Sequence, residues 1–388
     1  MRRSCLDAAP LRLTKCRFQL PAISYQNWRK ADSRQQSATG NPRQFKWIAG
    51  LVAGIGIALS ATIGVAQQDG PYKVLKTAKV GGAGGFDYVH ADAVNRRVYI
   101  PRTGQNARVT VFNLDTLEPV GEIPNVSARG AVIDAKSGHG FSSSRPVAMW
   151  DAKTLAVIKT IEVQGNPDGI LLDPFNQRVW VFSHSAPHAT VIDAKDGAIV
   201  GTLDLGGAPE QAVTDGNGRI YVDIEDKDNV AVVDAKNLQV TGHYDLSEKA
   251  KTPAGLAFDV KNHILFAACR NPATMVILNS DTGKILTTLP IGTGVDGALF
   301  NPATMETFSS QSDGTLTVIK EKNPTTFEVE QTVKTQTSGK TLTRDSTTNH
   351  ILIIAAEFGP PATPPPAGGR AGRGPMLPDS FSILEVGK

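Results

Sequence analysis

The sequence predicts an all-β fold, a seven-bladed β-propeller of four-stranded antiparallel blades, on three observations. First, one turn recurs: VFNLDTLEPVGEI (111–123), MWDAKTLAVIKTIEV (149–163), VIDAKDGAIVGTLDL (191–205), VVDAKNLQVTGHYDL (232–246) and ILNSDTGKILTTLPI (277–291) align Asn113, Asp151, Asp193, Asp234 and Asn279. Second, a landmark precedes each unit, in GGFDYV, SARGAV, NPDGIL, APEQAV, TPAGLA, GVDGAL and SGKTLT. It gives the series Asp87, Arg129, Asp168, Glu210, Ala254, Asp296 and Lys340, at intervals of 39 to 44 residues. Third, the units are strand-like. VYI, VWVFS, IYVDI, ILFAA and ILIIAA are short β-branched or aromatic runs bounded by turn residues, and no window sustains a helical period. A four-stranded sheet repeating at about 40 to 45 residues buries its faces only against its neighbours, which is the pattern of a propeller blade.

Along the chain, residues 1–46 form a basic segment, which includes a start downstream of Met1 among its readings. Residues 47–66, WIAGLVAGIGIALSATIGVA, carry no charge and follow Lys46. A positive flank, an apolar run and a small-residue ending read as a secretory signal cleaved near Ala66. The alternative is an uncleaved anchor through residues 48–66, since about 19 uncharged residues reach across a bilayer. Residues 67–388 then form one propeller. Its last unit supplies only TLTRD, HILIIAA and DSFSILEV, so PYKVLKTAKV (71–80) is expected to complete the seventh blade and close the ring. That blade also carries an insertion, residues 357–380, dense in Pro, Gly and Ala. It offers no ladder and little to bury, and reads either as an inert mobile loop or as a flap over one face.

The GxPxGL starts, the RVYIPRTG and RIYVDIED segments and the VVDAK-type turns resemble the YVTN-repeat (YncE-like) family of bacterial seven-bladed propellers. The resemblance covers residues 72–388 and implies a fold, export and no assigned catalysis. Two departures stand out: SSSRPVAM replaces a clear YVTN strand in the second unit, and the seventh unit carries the insertion.

Charge is unevenly placed. Ten of the 40 basic residues and two of the 37 acids lie in residues 1–46, which leaves 30 against 35 and a mildly acidic body. With dispersed Lys and Arg and 6% aromatics, the basic stripe and stacking platform of a nucleic-acid binder are missing. Cys269 is the lone cysteine outside the first 66 residues, so no intramolecular disulfide is available there. GGAGG (81–85) precedes a strand rather than a helix and lacks phosphate-loop context. GxSxG, HExxH, CxxCH and Walker sequences do not occur.

The loops entering strand one and joining strands two and three share one face of a propeller. The channel-mouth candidates are therefore Asp87, His90, Arg129, Asp168, Glu210, Asp296 and Lys340. Outer-loop candidates are Arg102, Arg145, His184, His188 and Arg270, with Asp226 and Asp313. Asp87, Asp168, Glu210 and Asp296 are the candidate ligands of a divalent cation, the one cofactor the sequence allows for; each also suits a turn that bonds its own backbone. His184 and His188, in FSHSAPH, lie in a loop broken by Pro187, with no evident carboxylate to complete a tetrahedral site. The expected function is an exported, non-enzymatic monomer binding a small ligand or an envelope protein on the loop face. A metal-assisted lactonase-like hydrolase is the alternative, and an interaction module of an envelope or redox assembly the second.

Overall fold

In a computed structural model that describes residues 70–361 and 374–388, the repeats form seven four-stranded antiparallel sheets. The basic segment, the apolar run and the centre of the insertion lie outside the described residues. Among the described residues no helix is long and apolar enough to cross a membrane.

The first blade runs His90–Asp92, Arg97–Arg102, Arg108–Asn113 and Pro119–Pro124, each strand pairing with the next. The following five begin at Ala128, Pro167, Pro209, Lys251 and Val295 and repeat that order. In the seventh, Leu342–Arg344, Ile351–Ala355 and Ser382–Gly387 are completed by Lys73–Lys79, which pairs antiparallel with Ser382–Gly387. The fourth strand missing from the last repeat is thus supplied from the other end of the domain, as the alternation in PYKVLKTAKV predicts.

First strands of successive blades contact one another all the way round, from the first to the seventh and back. Glycine makes this approach possible: a Cβ at Gly169 would stand 2.7 Å from the Glu210 carbonyl oxygen, and one at Gly255 2.7 Å from the Gly297 backbone. The glycine of the GxPxGL landmark is therefore a packing requirement of the channel wall.

Each interface between blades holds its own apolar cluster. Tyr99, Val109 and Val111 of the first blade meet Ile133, Ala148 and Trp150 of the second, and the pattern continues to the sixth and seventh, where Phe308 and Val318 meet Ile353 and Leu384. Ring closure is itself a core: Val98, Ile100 and Phe112 pack against Leu352, Ile354 and Ile383. Burial of an aliphatic or aromatic side chain contributes about 1.5–3 kcal/mol, so the closing interface matters as much as any other.

The recurring turns share one chemistry. The side-chain oxygen of Asn113 accepts from the N–H groups of Asp115 and Thr116 at 2.9 Å, and Asn279 does the same for Asp281 and Thr282 at 3.2 and 3.0 Å. Asx turns of this kind explain why Asp or Asn recurs at the position.

Candidate functional site at the channel mouth

The landmark side chains converge. Each sits where the chain enters the first strand of its blade, and because those strands line the channel, the side chains meet at its mouth. Lys340 Nζ lies 3.1 Å from Asp87, whose other oxygen is 3.1 Å from Arg129 Nη1. Arg129 Nε stands 3.5 Å from Asp168, and Asp168 is 2.7 Å from His184 Nε2, which is 3.9 Å from Glu210. Glu210 adjoins Glu225, Glu225 pairs with Arg270, and Arg270 Nη2 lies 2.6 Å from Asp296. Asp296 also pairs with Lys340, closing a circuit of nine side chains around the opening.

These acids do not serve turns. None of Asp87, Asp168, Glu210 and Asp296 accepts a hydrogen bond from a nearby backbone N–H; their partners are one another's counter-charges. The Asx role falls on the separate acids of the strand connections. Blade five contributes Ala254 at the landmark and so leaves a gap, which Arg270, near the end of its second strand Ile264–Asn271, fills.

Burial sets the protonation of the circuit. It pushes the Asp87 carboxyl up against the opposing pull of Lys340. Burial, and next the neighbouring Glu225 carboxyl, raise Glu210. Burial works against the charge of Lys340, yet Asp296 and Asp87 hold its ammonium above the ordinary lysine value. His184 is raised, chiefly by the adjoining Asp168. Where the desolvation of two acids is shared in this way, ion pairing is the compensation that keeps the rest charged.

Below the circuit the channel opens into a cavity of about 380 Å³. Tyr88, His90, Glu210 and Gln211 line it among apolar first-strand residues. His90 therefore lies inside the channel rather than at its rim, and burial lowers its imidazole to about 4. A second hollow, of about 430 Å³, flanks the mouth on the far side of Asp87 and Arg129 and adds Thr103, Ser127, Ser143 and Arg145.

The outer-loop candidates separate. Arg270 and His184 belong to the circuit itself. Arg145 is exposed and donates to the Gly165 carbonyl at 3.1 Å. His188 stays outside the circuit and pairs with Asp204 at 2.5 Å. Asp226 and Asp313 accept from the backbone N–H groups of Ala208 and Thr293 at 2.7 and 2.6 Å, tying the entry loops of their own blades. Arg102 is not a loop residue in effect: it is buried, donating to the Gly82 and Gly84 carbonyls at 2.9 and 3.0 Å, with its guanidinium 3.8 Å from the Phe381 ring centroid.

The expected four-acid cation set divides. Lys340 bridges Asp87 and Asp296, and Arg129 and Arg270 add further positive charge to them. Asp168 and Glu210 instead share His184, and the ligand atoms of these three all lie within 4.8 Å of one another. The carboxylates missing from the FSHSAPH loop in sequence are thus supplied by the landmarks of two blades.

Three contributors escaped the sequence reading. Glu225 adjoins the Asp226 that the loop position singled out, and only the direction of the chain in the short 3-10 turn Glu225–Lys227 decides which of the two faces inward. Tyr88 follows Asp87, and its hydroxyl reaches the Glu210 carbonyl at 3.4 Å. Gln211 spans to neighbouring blades, accepting from the Leu256 and Ala298 N–H groups at 3.1 and 3.0 Å and donating to the Ala298 carbonyl at 2.8 Å. A polar residue directly after a landmark was the available signal in both cases.

The base of the insertion is tied rather than free. Gly359 N–H donates to the Pro375 carbonyl and Leu377 N–H to the Glu357 carbonyl, both at 2.8 Å. Phe358 there lies tilted 6.4 Å from Phe86, next to Asp87, so the insertion leaves the domain on the face that carries the mouth. Its course over 362–373 lies outside the described residues.

No protein-family model matches the chain, and no curated protein matches it in sequence. Among solved structures, a chain in the crystal structure of a mitotic checkpoint complex is similar with a TM-score of 0.63 at 12% identity, covering 79% of this chain and 96% of that one. At that identity the likeness concerns the fold alone. Since 1601 solved chains match, the propeller is too widely shared to carry a function with it.

Proposed function

We propose that this protein is an exported propeller of the YVTN-repeat, YncE-like kind that acts by binding a small, dipolar ligand at its channel mouth. One observation carries the reading: the circuit of acids and bases from Asp87 to Lys340, set above a cavity of about 380 Å³ that is open on one side. A mouth built from interspersed acids and bases offers the polar groups of a ligand counter-charges already in place and partly desolvated. A ligand bearing both a carboxylate and an amine or several hydroxyls can replace existing ion pairs without stranding either partner. The hydroxyls of Ser127 and Thr103 beside Arg129 suit the same class. Export rests on residues 47–66 and the resemblance to exported propellers. Hydrolysis is the weaker reading, because two of its four expected acids, Asp87 and Asp296, are neutralised by Lys340, Arg129 and Arg270.

Thermal shift of the purified protein against amino acids, sugar acids and hydroxy acids tests this. At least one compound should raise the melting temperature in proportion to its concentration, as ligands specific to the native state do. Arg129→Ala and Lys340→Ala should abolish the shift. A panel without stabilising members, or a shift indifferent to both substitutions, would overturn the proposal.

A further inference from the structure

We infer that Asp168, His184 and Glu210 form a site for a single divalent ion of the zinc class, with an open coordination position toward the mouth. The argument begins with donor chemistry. Two carboxylates balance the charge of a divalent ion, and an imidazole nitrogen favours zinc-class metals over the all-oxygen preference of calcium and magnesium. Three protein ligands and one open position is the arrangement of zinc sites that accept an exogenous group.

Geometry agrees. With metal–ligand bonds of about 2.0–2.2 Å, tetrahedral ligand atoms stand about 3.3 Å apart. Here His184 Nε2 lies 2.7 Å from Asp168 Oδ2 and 3.9 Å from Glu210 Oε1, on either side of that value. Small side-chain adjustments equalise them.

A second observation is independent of the cluster's composition. The Asp168 side chain is 3% exposed, yet its Oδ1 is buried with no hydrogen-bond partner, and neither has His184 Nε2 one. The 2.7 Å approach of nitrogen to Oδ2 is therefore a contact without hydrogen-bond alignment. Two polar atoms held close but out of line are placed as two ligands of one ion are, whereas an ordinary imidazole–carboxylate pair would align its N–H. Arg129 Nε, 3.5 Å from Oδ1, supplies charge there but no hydrogen bond. Its presence predicts moderate affinity, since a cation beside the site opposes a second one.

The inference does not depend on the dipolar ligand, so metal alone is the probe. The full chain, stripped with a chelator and dialysed, is titrated calorimetrically with Zn²⁺ and separately with Ca²⁺. One Zn²⁺ per chain is expected, with Ca²⁺ bound far more weakly. His184→Ala and Asp168→Asn should each weaken Zn²⁺ binding by at least the roughly 10–100-fold that loss of a mere outer partner of a ligand costs, while His188→Ala, four residues away and paired with Asp204, should not. Should either variant misfold, X-ray absorption of the Zn²⁺-loaded natural protein decides, expected to show one imidazole with oxygen ligands. Absence of stoichiometric Zn²⁺, unchanged affinity in folded His184→Ala and Asp168→Asn, or a spectrum with two or more imidazoles would overturn the site. Loss of the metal site with retention of an Arg129-dependent ligand shift would leave the binding reading standing.

Discussion

His90 sits in the channel below the charged mouth, and burial holds its imidazole at about 4, against an ordinary value near 6.5. The folded state therefore takes up its proton less readily than the unfolded chain. Between those two values the unfolded state binds more protons, so stability rises with pH there. His90 should thus contribute a loss of unfolding free energy as pH falls from about 6.5 to about 4, with no further loss below. Denaturant unfolding at several pH values should show this component in the natural protein and its absence in His90→Gln; identical profiles would place the proton elsewhere. Arg102 belongs to the same scale. Its guanidinium lies on the Phe381 ring and serves two glycine carbonyls, so Arg102→Ala removes packing and leaves acceptors unpaired. A loss of about 2–4 kcal/mol is expected, within the range for breaking a buried network, and a urea midpoint within error of the natural protein would refute it. Nothing in RVYIPRTG distinguishes this arginine from one that reaches a ligand, because the glycines and phenylalanine that hold it come from segments far apart in sequence.

At the scale of the blade, the recurring turn on Asp or Asn was legible because it obeys a local rule. Four residues after each turn acid or amide the backbone takes positive φ, occupied by Leu117, Leu155, Gly197, Leu238 and Gly283. Leucine tolerates the strained conformation at three of these positions because it packs: Leu117 lies in the closing core, and Leu155 and Leu238 lean on theirs. Gly283 has no such option, since a Cβ there would run into the Tyr244 ring. Gly283→Ala should therefore cost about 2 kcal/mol, combining positive-φ strain with a collision against a rigid side chain. Thermal unfolding checks it, and the double variant with Tyr244→Ala should recover part of the loss if collision contributes. The mouth was half legible for a related reason. The landmark spacing located Asp87, Arg129, Asp168, Glu210, Asp296 and Lys340 on one rim. It could not tell turn-capping acids from ion-paired ones, nor see that His184 would swing between two of them, because those outcomes depend on the angle between neighbouring blades.

The ring as a whole has one seam held by the two ends of the domain. Lys73–Lys79 supplies the outer strand of the seventh blade, and just before it Tyr72 adds a tertiary clasp. Its ring stands edge-on to Phe308 at 5.2 Å, its hydroxyl donates to the buried Glu306, and its backbone exchanges two hydrogen bonds with the Gln331 amide at 2.9 and 2.7 Å. Lys388 reaches the same Glu306 at 2.9 Å, so both ends of the domain converge on one carboxylate of the sixth blade. Because each blade is stabilised by its neighbours, opening one interface weakens the array beyond the contacts removed. A chain beginning at residue 82 should fold with a three-stranded seventh blade, melt lower by about 10 °C or more at roughly 2 °C per kcal/mol for a chain this large, and self-associate through the bared edge of Ser382–Gly387. A peptide of residues 70–81 added in trans should restore the melting temperature and suppress association. If the shortened chain stayed monomeric and melted with the intact one, the seam would be ornamental and the seven apolar interfaces sufficient to hold the ring, which would also free the N-terminal strand for another partner.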